Sequence, residues 1–220
     1  AMMNFDIPEH LAQYLQELDD FIATQILPLQ MQDDNNRFFD HRREDARTDW
    51  ERDGLPNEQW EALLLEAKRR ADAAGHFRFS SPKAYGGRDG SNLDMAIIRE
   101  HLAAKGLGLH NDLQNEHSIV GNNVGLLLML HYGSEQQKAE WIDDLSECRR
   151  YFTVGITETA HGSDATHMET SAVRDGDTWT INGEKSWNTG IHRASHILVI
   201  ARSSGKAGDA AGLTAFLVPT

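Results

Sequence analysis

The sequence predicts an α+β chain: an N-terminal all-α helical domain over residues 1–150, followed by a β-barrel-like middle domain over residues 151–220. Two observations carry this reading. Up to Leu145, apolar residues recur at the three- and four-residue spacing of a helix face. From Tyr151 onward they alternate in short runs broken by Asp-Gly and Asn-Gly, the pattern of paired strands.

Taken in order, Asp6 caps a first helix with Pro8 in its first turn. Leu11, Leu15, Leu18, Ile22 and Ile26 mark one face of it, and Pro28 stands at its far end. Over residues 32–53 charge replaces period. Arg37, Arg42, Arg43, Arg47 and Arg52 stand among acidic residues, as on a solvated polar connection holding a short helix. A second helix over 57–74 turns Trp60, Leu63, Leu64 and Ala67 inward and stops at Gly75. Residues 77–90 read as loop. Ser91 with Asp94 is a capping-box start for a helix over 92–105, which ends at Gly106. Residues 110–114 are polar. A long apolar helix then carries Ile119, Val120, Val124, Leu127, Leu128 and Leu130 to Gly133, and Ser134 with Gln137 caps another, bearing Trp141, Ile142 and Leu145. In the second domain Thr170, Ala172 and Arg174 alternate up to a turn at Asp175-Gly176-Asp177, expected to be type I′. Trp179 and Ile181 lead to a further turn at Asn182-Gly183, so a β-meander is expected. The glycine-rich stretch 203–212 joins later strands.

Composition narrows the function classes. A net charge of −13 argues against a nucleic-acid partner, whose binding rests on Lys and Arg. No apolar run is long enough to span a bilayer, and Ala1, Met2, Met3 and Asn4 show no secretory signal. The lone cysteine, Cys148, allows no internal disulfide, favours a reducing, cytoplasmic setting and reads as an ordinary thiol rather than a nucleophile. His161, Asp164 and His167 have a metal-like spacing, but Gly162-Ser163 predicts a turn there, so no metal is expected. Ser163 lacks the Gly-x-Ser-x-Gly elbow of a hydrolase. His110, His117 and His131 read as helix-surface or cap residues.

Two polar loops stand out: Thr157-Glu158-Thr159-Ala160-His161-Gly162-Ser163-Asp164 and Asn182-Gly183-Glu184-Lys185-Ser186-Trp187-Asn188-Thr189-Gly190. With Leu27-Pro28, Tyr85-Gly86-Gly87, Tyr132-Gly133-Ser134-Glu135-Gln136-Gln137-Lys138, Gly176-Asp177 and the run from Gly212 through Val218, they resemble the acyl-CoA dehydrogenase family, flavoenzymes that oxidise acyl thioesters between the α and β carbons. The resemblance covers nearly the whole chain. It implies FAD as cofactor, an acyl-CoA substrate in fatty acid metabolism, an electron-transfer flavoprotein or similar acceptor, and a homo-oligomer, dimer or tetramer.

By the same resemblance, backbone groups of Val154, Gly155, Ile156 and Thr157, with the Thr157 hydroxyl, meet the polar edge of the flavin. Trp187 packs on the ring, with Asn188 beside it, and Thr189 bonds near N5. Gly162 and Ser163 belong to the cofactor-binding set as well, and Ser163 and His161 face the acyl-CoA. Departures from the family pattern are Thr159 in place of the usual Pro, Ala160-His161 for Gly-Ala, and Asn188-Thr189-Gly190 for Ile-Thr-Asn. The family's catalytic glutamate belongs to a C-terminal helical bundle beyond the region matched here. No residue of this chain is therefore assigned as the base, neither Glu158 nor Glu184, and the 220 residues alone are expected to be inactive. Two alternatives stay open: a relative with other flavin chemistry, such as a nitroalkane oxidase or monooxygenase, and a non-enzymatic binding homologue.

Overall fold

The computed structural model of the chain describes residues 6–121, 124–147 and 149–220; Cys148 and the first five residues, Ala1 to Asn4 among them, lie outside these ranges. Helix α1 (Glu9–Phe21) buries Leu11, Tyr14, Leu15, Leu18 and Phe21 along one stripe. Pro8, with φ −55° and ψ 142°, is its N-cap residue, the position expected for Asp6. Nor does Pro28 close the helix. The chain continues through a π turn, Ile22–Ile26, into α2 (Leu27–Met31), which contains Pro28. A proline has no N–H to give the carbonyl four residues back and its ring crowds that carbonyl; the wider π turn relieves both.

The charged connection is more than a solvated strip. After a 3₁₀ turn (Gln32–Phe38) with Asp33 and Asp34 in left-handed conformation, Phe38 is fully buried, its ring 5.4 Å from Trp60. Helix α3 (Arg43–Arg47) and the short antiparallel pair β1 (Thr48–Asp49) and β2 (Leu55–Pro56) follow. Arg42 stays at the surface between Asp34 and Asp40. Arg47 does not. Its guanidinium lies over Trp60 and donates to Asp112 at 2.6 Å, and that carboxylate, with only 2% of its side chain exposed, also faces His117 at 3.3 Å. His110 is buried too, so His110 and His117 are interior groups of a packed loop rather than helix-surface residues.

Helix α4 (Glu58–Ala73) buries Trp60, Leu63, Leu64 and Ala67 as its spacing demands, and Gly75 follows it at φ +78°. Helix α5 (Asn92–Ala104) begins at the complete Ser91–Asp94 capping box. The apolar helix α6 (Val124–Tyr132) is shorter than expected. Ile119 and Val120 are fully buried but irregular, because Ile119 N–H donates to the His110 carbonyl and Gly121 N–H to that of Phe77. A side chain at 121 would meet the Phe77 ring and carbonyl within 3 Å, which is why glycine stands there. Helix α7 (Glu135–Ser146) starts at Ser134, which exchanges bonds with Gln137.

The chain forms two compact units, Ala1–Lys138 and Ala139–Thr220. The second holds a five-stranded mixed sheet: β3 (Phe152–Gly155), β4 (Ser171–Asp175), β5 (Thr178–Asn182), β6 (His196–Arg202) and β7 (Leu213–Pro219). Strand β6 is its spine. It pairs parallel with β3, antiparallel with β7 along its whole length, and with β4 at Ser171–Arg202. Trp141 of α7 packs edge-on against Phe152 and His196 beneath this spine. The β4–β5 hairpin closes over Gly176 and Asp177, of which only the glycine is left-handed; that is the requirement of a II′ turn, not the I′ turn expected. The second turn does not form a hairpin. At Gly183 (φ +148°) the chain passes so close to Thr170 that an added Cβ would lie 2.4 Å from its hydroxyl, and it leaves the sheet as a loop instead of continuing a meander.

Candidate cofactor site

Strand β3 runs straight into the first polar loop, and β5 into the second. Because β3 pairs with β6 rather than with the hairpin, the loops are joined by side chains and loop backbone rather than by a strand ladder. Ser186 N–H donates to the Thr157 carbonyl at 2.9 Å, and Thr159 Oγ1 to Glu184 Oε1 at 2.6 Å. Farther along, Thr153 Oγ1 donates to the Thr189 carbonyl and Tyr151 OH to that of Gly190, both at 2.7 Å.

At the centre is a buried ion pair. Lys185 Nζ lies 2.8 Å from Glu158 Oε1 and 2.9 Å from the Ile156 carbonyl, and the two side chains are only 5% and 6% exposed. Glu158 also accepts from the N–H groups of Glu169 (2.6 Å) and Thr170 (2.9 Å). Burial acts to raise its pKa, but the Glu169 and Thr170 amides and the Lys185 ammonium outweigh it and hold the carboxyl at about 2. With its proton affinity spent in this way, Glu158 is a structural anion. Glu184 is an exposed acceptor for Thr159.

The expected site residues divide into two groups. Residues 154–157 and 187–189 are brought together through the bonds just described. Gly162 and Ser163 lie farther out on an exposed turn, and Asp164 caps the 3₁₀ turn Ala165–His167 that follows. His161 Nε2 lies 3.3 Å from Glu169 and its ring stacks with His167 at 6.4 Å, while His167 pairs with Asp164 at 2.7 Å. Among the joined residues, Trp187 is 89% exposed on a left-handed backbone, φ +61°. Asn188 Nδ2 donates to the Lys185 carbonyl, while its Oδ1 is buried without a partner. The roles of Lys185, Thr153 and Tyr151 as loop anchors are not visible in the sequence, since nothing local separates a lysine that binds a distant carbonyl from one that points to water.

Residues 29–148 match the pattern described as "Acyl-CoA dehydrogenase, N-terminal domain", and residues 153–220 that of "Acyl-CoA dehydrogenase, middle domain". The chain belongs to the acyl-CoA dehydrogenase family. It is 28% identical over 218 residues to glutaryl-CoA dehydrogenase of Desulfococcus multivorans, covering 98% of this chain and 49% of the relative. It is 37% identical over 100 residues to the mitochondrial short-chain specific acyl-CoA dehydrogenase of Rattus norvegicus, covering 46% of this chain and 24% of the relative. The structure of a Mycobacterium smegmatis glutaryl-CoA dehydrogenase in complex with FADH2 superposes with a TM-score of 0.62 at 22% identity, over 97% of this chain and 46% of that one. The fold is therefore that of the acyl-CoA dehydrogenases, and the chain spans about half the length of the glutaryl-CoA dehydrogenases it matches.

An acyl-CoA dehydrogenase flavin needs an apolar plane and polar groups at the ring edge. Both are present and unspent. The Trp187 indole is open, and neither the N–H nor the hydroxyl of Thr157, nor the hydroxyl of Thr189, bonds another described residue. The joined loops fit the group. No helix of the described residues is long and apolar enough to cross a membrane.

Proposed function

We propose that this chain carries the flavin loops of an FAD-dependent acyl-CoA dehydrogenase that oxidises an acyl-CoA thioester between its α and β carbons. The observation that carries this reading is the pair of loops stapled by Glu158 and Lys185, with the Trp187 indole exposed and the Thr157 and Thr189 donors unbonded among the described residues. In this role residues 154–157 supply the polar edge, Trp187 covers the ring, Asn188 sits beside it, and Thr189 bonds near its reacting end. Gly162 and Ser163 reach the cofactor or the thioester from the outer turn, where His161 adds a polar contact. When bound, FAD supplies the hydride acceptor. The chain's own residues hold and orient it and exclude water from one of its faces.

The base that removes the α proton lies outside these loops. A carboxyl held at about 2, with both oxygens engaged, is a poor proton acceptor near neutral pH. An oligomeric assembly and a flavoprotein electron acceptor, which the family resemblance implies, are part of this proposal.

The test is direct. The protein is mixed with FAD, freed of excess by gel filtration, and examined for flavin absorbance; it is then mixed anaerobically with acyl-CoAs of short to long chain. Flavin retention and, with the catalytic base present, bleaching by at least one thioester are expected. Folded protein that retains no flavin in the presence of excess FAD removes the reading. Retention with reduction by a nitroalkane, and by no thioester, moves it to another chemistry on the same fold.

A further inference from the structure

The three peptide units between Ile156 and Thr159 are not equally committed. The Thr157 carbonyl accepts from Ser186 N–H, and on the other side of that unit Glu158 N–H donates to the His161 carbonyl at 3.0 Å. The Ile156 carbonyl accepts from Lys185 Nζ at 2.9 Å. A trans peptide is planar, with its C=O and N–H directed oppositely, and no peptide among the described residues is cis. Fixing the Ile156 carbonyl on Lys185 therefore fixes the Thr157 N–H in the reverse direction, away from the buried pair, and this N–H has no acceptor among the described residues. A cation on a carbonyl also draws electron density through the amide and strengthens the donor at its far end.

We propose that Lys185 is a positioning residue: through the Ile156–Thr157 peptide it aims and polarises the Thr157 N–H at the bound flavin, and so favours the reduced cofactor over the oxidised one. This rests on the flavin reading above. Reduction adds negative charge to the ring, and a donor already held in place stabilises that charge without having to reorganise. Glu158 has the complementary task. It compensates the ammonium and, bound by two backbone amides, prevents Lys185 from swinging to solvent.

The test uses FAD-loaded protein and three variants. Glu158→Gln/Lys185→Met removes both charges at nearly constant volume, the kind of exchange a buried pair tolerates. Lys185→Gln keeps a neutral donor for the Ile156 carbonyl and so retains aim without charge. Lys185→Arg restores the cation. The readouts are the flavin midpoint potential by dye equilibration, the affinity for oxidised FAD, and the Thr157 amide cross-peak in the cofactor-free protein. The double variant should shift that cross-peak and lose at least tenfold in preference for reduced flavin, which for a two-electron couple lowers the potential by about 30 mV. Lys185→Gln should lower the potential with a smaller movement of the cross-peak, and Lys185→Arg should recover most of both. Should the double variant not fold, Lys185→Gln against Lys185→Arg decides the matter. Wild-type protein that takes up no FAD overturns the flavin reading and this inference with it. Wild-type protein that loads, with potentials unchanged in the folded variants, overturns the inference alone.

Discussion

Trp187 combines two costs that the isolated chain gains nothing from: a bulky side chain on left-handed backbone, and an indole 89% open to water. The first disfavours the folded state by about 1–2 kcal/mol relative to an unstrained residue; the second forgoes the burial that usually justifies a tryptophan. Trp187→Asn, which tolerates φ > 0, should therefore leave the cofactor-free protein as stable as before, or more stable by up to about 1 kcal/mol, while weakening FAD binding. Urea unfolding and a flavin titration check this. A loss of several kcal/mol without FAD would show that the indole packs in the core. Lys185 should behave in the opposite way. Lys185→Met alone strands a buried carboxylate and should cost roughly 3–5 kcal/mol, whereas adding Glu158→Gln should recover much of that loss. A double-mutant cycle in urea measures the coupling, and additive losses would show that the two groups do not depend on each other.

At the scale of elements, what was legible in the sequence is what is decided locally. The capping boxes at Ser91–Asp94 and Ser134–Gln137, the buried stripe of α4 and the left-handed stop at Gly75 follow from residues within a turn or two of each other. Where a distant partner decides, the reading diverged. Ile119 and Val120 carry an apolar pattern that suits a helix, but hydrogen bonds to residues 110 and 77 draw them out of it. Arg47 looks like one more surface arginine until Asp112, far along the chain, is placed beneath it. The candidate site shows the same limit: ordered motifs located both loops, and nothing in them disclosed that Lys185 fastens one to the other. Arg47 also supplies a test at this scale, because it ties α3 to the loop that contains Asp112 and His117. Arg47→Met should cost about 3 kcal/mol by leaving the buried Asp112 carboxylate with His117 but no permanent cation, and hydrogen exchange should rise across residues 108–121. Unchanged exchange there would show that Trp60 and His117 hold the loop without the guanidinium.

For the whole molecule, acid should act in two stages. His76, buried against Tyr14 and Phe21, is pushed down from 6.5 to about 4, chiefly by burial and further by Arg88. Between those values the unfolded chain binds a proton that the native state refuses, so stability falls as pH drops from about 6.5 to 4, by at most roughly 3 kcal/mol. Glu158 and Asp112, each held at about 2, contribute stability that is complete above their ordinary carboxyl range and lost as pH falls from there toward 2. Urea unfolding from pH 8 to pH 3 should show both declines, and His76→Phe should lessen the upper one, to which His110 and His196, also pushed down by burial, contribute as well; an unaltered upper decline would assign it to those groups. The parallel β3–β6 pairing bears on events in time as well. The β4–β5 hairpin closes across two residues, but β3 waits for a strand whose register begins at His196, and ordering so long an intervening loop is slow. Because residues 154–157 are the end of β3 and its direct continuation, the platform they form should be among the last parts of its unit to assemble, after the folding barrier has been crossed. FAD added to refolding protein should then leave the folding rate unchanged and slow unfolding, making the cofactor a latch on the finished unit rather than a template for it.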